Sequence, residues 1–135
     1  MTTSDGLHNV DTSPEPTIGQ LAEQAAQAVR ALNHLTRPGT DALAHPAEAG
    51  DLAAALCCLT GRLPQLLSQL NRWLVSQQQA GHLRVDTSSP LPEPAAAVHA
   101  VTGQLTQAAL NAQQASDALD TAHQHLEAPS LKWRL

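Results

Sequence analysis

Apolar residues recur along most of this chain at alternating spacings of three and four, as in helices that bury one face. The first run is Ile18, Leu21, Ala25, Ala28, Leu32 and Leu35, with Thr17 placed to accept a hydrogen bond from the first free amides as an N-cap. Pro38 and Gly39 then stop the helix. A linker from Gly39 to His45 leads to Pro46, which suits a first helical turn because its missing amide proton has no intrahelical acceptor there.

The second run, Leu52, Leu56, Leu59, Leu63, Leu66, Leu70 and Trp73, keeps its four-three spacing past Gly61 and Pro64. A proline inside a helix removes one hydrogen bond and crowds the carbonyl four residues back, here Thr60. The run therefore predicts a kinked helix, with a break into two helices near Pro64 as the alternative. Gly81 lies where a C-terminal cap belongs. The stretch from His82 to Pro94, with Ser88, Ser89, Pro90, Pro92 and Pro94, reads as a connector that reverses the chain. The third run is Val98, Val101, Leu105, Ala108, Ala112, Ala115, Leu119, Ala122 and Leu126, and Pro129 follows its end. Alanines at successive seam positions allow close backbone approach, so Leu63, Leu66 and Leu70 are expected opposite them.

The expectation is an all-α fold: an antiparallel three-helix bundle with coiled-coil-like heptad packing, its helices near 17–36, 46–80 and 93–127. A helical break near Pro64 would make it four. Residues 1–16 read as a disordered leader, 17–127 as the bundle and 128–135 as a C-terminal tail. At about 1.5 Å per residue, the two long helices would each span roughly 50 Å and the first about 30 Å. Part of the long pair is then either a two-helix projection or left for another molecule to cover.

Composition agrees with helices. Phe and Tyr are absent, Trp occurs twice and Ile only as Ile18, so Leu, Ala and Val supply the core. Lys132 is the one lysine, and with plentiful Ala, Leu, Pro and Gly this resembles the codon bias of a high-GC genome. A net charge of −5 with 14% charged residues argues against direct nucleic-acid binding. The polar, acidic stretch from Met1 to Asp11 lacks the basic and apolar regions of a signal peptide. No segment reaches the roughly 20 apolar residues that span a bilayer. A cytoplasmic location without membrane contact is expected, and adjacent Cys57 and Cys58 exclude a disulfide framework.

Candidate chemistry is sparse. His123 and His125 are two residues apart and diverge on a helix, while His34, His45, His82 and His99 fall on separate elements, so no metal site is expected. Asp117 and Asp120 share a face without a nucleophile beside them. No catalytic, cofactor-binding or metal-binding residues are assigned, and the chain is read as a non-enzyme.

Interface candidates are more numerous. From Leu52 to Leu59 the second helix is apolar all round, which suits either a central place in the bundle or an exposed contact face carrying Leu52, Leu56, Cys57, Cys58 and Leu59. Arg72 beside Trp73 forms an aromatic and guanidinium anchor pair, and Leu110 lies off the third helix's seam. Leu131 and Trp133, flanked by Lys132 and Arg134, form a candidate docking motif.

The runs Leu32-Asn33-His34-Leu35-Thr36-Arg37-Pro38, Leu63-Pro64-Gln65-Leu66-Leu67 and Gly81-His82-Leu83-Arg84-Val85-Asp86 resemble those of uncharacterised small helical proteins of actinobacteria. The resemblance spans most of Thr17 to Leu126, implies an all-helical fold and carries no activity with it. The leading expectation is an interaction protein that binds itself as a homodimer or binds another protein. The alternative is an accessory regulator that acts through protein contacts with DNA-associated machinery.

Overall fold

A computed structural model of the chain describes residues 14–86, 88 and 93–127. The fold is all-α, with helices α1 (Ile18–Leu35), α2 (Pro46–Gln79) and α3 (Pro94–Glu127) and no strand among the described residues. The chain divides into two compact units, one ending at Leu43 and the other beginning at Ala44. Most of the leader expected at 1–16 and the tail expected at 128–135, with Leu131 and Trp133, lie outside the described residues.

In the first unit, Thr17 caps α1 as its sequence suggests. Its hydroxyl oxygen accepts from the Gln20 amide at 3.1 Å, and the Gln20 side-chain oxygen accepts from the Thr17 amide at 2.9 Å. This reciprocal pair satisfies two amides that the helix itself cannot. After α1, Gly39 adopts a φ of 92°, a left-handed conformation that a side chain disfavours. No residue of α1 is buried.

The second unit is an α2–α3 hairpin. Helix α2 runs unbroken through Pro64, so the four-helix alternative does not apply. Pro64 leaves the Thr60 carbonyl without its usual amide donor. The Thr60 hydroxyl turns back on its own helix, donating to the carbonyls of Leu56 at 2.9 Å and Cys57 at 3.2 Å. Gly81, with a φ of 76°, ends the helix. The two helices run in opposite directions. Gly50 bonds to His123, Cys57 to Ser116, and Asn71 to Thr102 and Thr106, so the contacts descend α3 as they climb α2.

The seam between them keeps five of the nine positions expected on α3, Val98, Leu105, Ala112, Leu119 and Leu126, and moves the other four by one residue. From Val98 onward, the α3 residues withdrawn from solvent are Val98, Thr102, Leu105, Ala109, Ala112, Ser116, Leu119, His123 and Leu126. Val101, Ala108, Ala115 and Ala122 are exposed instead. On α2 the matching row is Gly50, Ala53, Cys57, Thr60, Pro64, Leu67, Asn71 and Leu74, each buried or half-buried. The row beginning at Leu52 is turned aside by one position. A one-residue step rotates the contact by about 100°, which moves Leu66 and Leu70 out of the seam.

Small side chains explain the choice. A Cβ added at Gly50 would sit 3.7 Å from the Leu126 Cβ, and one added at Gly61 would sit 3.1 Å from the Ser116 Oγ. Gly50 leaves room for Leu126, and Gly61 with Cys57 leaves room for Ser116. A row of leucines could not come so near.

Candidate interaction surface

The hairpin presents two unlike rows of side chains. The seam is held in register by polar ties. The Ser116 hydroxyl donates to the Cys57 carbonyl at 3.1 Å, and the Cys57 thiol lies 3.4 Å from the Ser116 carbonyl as its donor. His123 donates from Nδ1 to the Gly50 carbonyl at 3.0 Å, which leaves Nε2 facing the Glu127 carboxylate at 3.3 Å. Asn71 donates from Nδ2 to the Thr106 hydroxyl at 3.2 Å and the Thr102 carbonyl at 3.4 Å. Its Oδ1 is buried and finds no hydrogen-bond partner among the described residues. A buried polar group of this kind costs stability but disfavours other registers, the service a lone Asn performs in helical pairs.

Beside the seam lies the leucine row. Leu52, Leu56 and Leu63 are half-buried, while Leu59 is 40%, Leu66 57%, Leu70 42% and Trp73 54% exposed. On α3 the residues one place before the buried threonine, alanine, serine and histidine are Val101, Ala108, Ala115 and Ala122. In an antiparallel pair these two rows flank the same side of the seam. Together they make one apolar face, with a ridge of large side chains on α2 next to a trough of small ones on α3. The other side of the seam is polar, carrying His99, Thr106, Gln113 and Asp120 on α3.

The candidate interface residues separate accordingly. Leu52, Leu56, Leu59 and Trp73 belong to the apolar face. Cys57 belongs to the seam, where it is half-buried against Ser116, and exposed Cys58 is turned away from both. Arg72 is exposed on the polar side of α2 and does not join Trp73 on the face. Leu110 is exposed on α3 away from the alanine trough. Ser116, Asn71 and His123, which set the register, escape a reading that looks for apolar residues. The row of small residues Gly50, Ala53 and Cys57 was the available signal.

One end of the face meets the connector. Leu83 and Val85 fold over Leu74, Pro94, Ala97, Val98 and Val101 around a pocket of about 150 Å³. Sites for small organic ligands typically occupy about 300–1,000 Å³, so this pocket suits a single inserted side chain. Among the described residues there is no cluster of His, Cys, Asp and Glu that could hold a metal ion, and no helix is long and apolar enough to cross a membrane. No family model matches the chain, and neither the curated proteins nor the solved structures compared with it include a match.

Proposed function

We propose that this chain is a non-enzymatic interaction protein and that the leucine face of the α2–α3 hairpin is its contact surface. One observation carries the reading: the most apolar row of α2 lies outside the seam that joins α2 to α3. Fully burying a leucine is worth about 1.5–3 kcal/mol, and a folded chain has no reason to align several of them beside its own packing contact unless another surface covers them. Large apolar patches rimmed by polar residues are characteristic of protein contacts. Here the rim is supplied by Arg62 and Gln69 on α2 and by Gln104 and Asn111 on α3, all exposed. Coiled-coil-like packing of a further helix on this face is the natural mode, because its side chains repeat at helical spacing.

The test replaces Leu59 and Leu66 together by Glu in a tagged protein expressed in its native host. The variant is expected to keep its far-ultraviolet helix signal and to lose the molecules that co-elute with the unaltered protein. A variant that unfolds like one altered in the seam at Leu67, or one that retains the same co-eluting molecules, contradicts the reading.

A further inference from the structure

Resting on that reading of the face, we infer that its occupant is a second copy of this chain, stacked face to face so that the α2 ridge of each copy lies in the α3 trough of the other. Three properties of the face point to a self-complementary contact. It pairs a ridge with a trough of the same length, which is what a twofold operation requires of a surface that must fit itself. Its two rows, Leu52, Leu56, Leu59, Leu63, Leu66, Leu70 and Trp73 on α2 and Val101, Ala108, Ala115 and Ala122 on α3, hold no Asp, Glu, Lys or Arg, with Arg62 on the rim, so two copies with a net charge of −5 each bring no charged side chains together along these rows. Its extent is also sufficient. The ridge from Leu52 to Trp73 is about 32 Å long at 1.5 Å per residue, and the hairpin is roughly 20 Å wide. Two such faces bury about 1,200 Å² in total, the lower end of what stable protein interfaces use.

The internal register of the hairpin then specifies who meets whom. Cys57 is level with Ser116, and Asn71 with Thr102. A twofold axis parallel to the helices preserves height, so Leu59 faces Ala115 of the second copy, Leu66 faces its Ala108, and Trp73 faces its Val101. Neighbouring helices are antiparallel throughout the resulting four-helix core. The other twofold arrangement, α2 upon α2, would set leucine against leucine and leave the alanine rows facing across a gap, which close packing disfavours.

Sedimentation equilibrium of the full chain across the micromolar range tests the inference. The expected mass is that of a dimer. Leu66→Glu and, separately, Ala108→Gln each weaken it by about a hundredfold, whereas Leu110→Glu, on an exposed position off this face, leaves it unchanged. In a Cys57→Ala, Cys58→Ser background, mixing a Leu66→Cys chain with an Ala108→Cys chain is expected to give a mixed disulfide in preference to either self-pair. A monomer at every concentration overturns the second copy, as does a dimer indifferent to both face substitutions. Preferential Leu66→Cys self-pairing overturns the large-on-small arrangement. A monomer that still captures another protein through Leu59 and Leu66 refutes this inference while leaving the contact face standing. A face variant that unfolds as a Leu67 variant does refutes the contact face itself.

Discussion

Leu66 and Leu67 are chain neighbours with the same side chain and opposite fates. Leu67 faces α3 in a seam whose other α2 residues are Gly50, Ala53, Cys57, Thr60, Pro64, Asn71 and Leu74, whereas Leu66 stands on a face of leucines that α3 does not cover. The seam is narrow, small and tied by hydrogen bonds. The face is broad, apolar and untied. In this hairpin, close approach and polar pairing choose which surfaces meet, and the greater hydrophobicity is left for association.

Five substitutions test the difference between the two rows, in decreasing order of effect. Leu67→Ala is expected to destabilise the hairpin by about 2 kcal/mol through lost burial and the cavity it leaves, at any protein concentration, as read by urea unfolding. An equal loss that faded on dilution would place Leu67 on the associating face. Ser116→Ala removes the hydroxyl that ties α3 to the Cys57 carbonyl and should cost about 1 kcal/mol; no measurable change would show that the bond does not hold the register. Gly103→Ala, where an added Cβ meets nothing within 4 Å, should gain about 0.8 kcal/mol from helix propensity alone. Gly61→Ala should forfeit that gain, because its Cβ would press on the Ser116 Oγ at 3.1 Å, and thermal melts of the two variants make the comparison. Leu66→Ala should change stability by under about 0.5 kcal/mol in dilute solution, with a penalty that grows as protein concentration rises.

Much of the fold was legible in the sequence. Thr17, Pro38 with Gly39, Pro46 and Gly81 mark helix ends through backbone chemistry that acts locally, and α1 and α2 begin and end beside them, while α3 begins at Pro94. The heptad spacing was legible too, and on α3 so were the seam positions Val98, Leu105, Ala112, Leu119 and Leu126, but the residues between them were not. Between Val98 and Leu105 the intervening seam residue can lie three or four places on. Hydrophobicity favours Val101 over Thr102 and Ala115 over Ser116 and does not distinguish Ala108 from Ala109; packing selects Thr102, Ala109 and Ser116. A ranking by apolar character finds the surface that most needs covering, without saying whether the chain's own helix or another molecule covers it. Polar seam residues such as Asn71 and His123 show their worth only when their partners, Thr106 and the Gly50 carbonyl, are seen.

The identity of the seam is tested most directly by a disulfide. The Cys57 sulfur lies 3.6 Å from the Ser116 hydroxyl oxygen, so a Ser116→Cys chain in a Cys58→Ser background should close an intrachain bond to Cys57 under mild oxidation, within the reach that disulfides require. An Ala115→Cys chain should not, because Ala115 points to the neighbouring face. Rapid closure at 116 and none at 115, followed by peptide mapping, is the predicted result. Closure at 115 in place of 116 would return the leucine row to the seam and contradict the account.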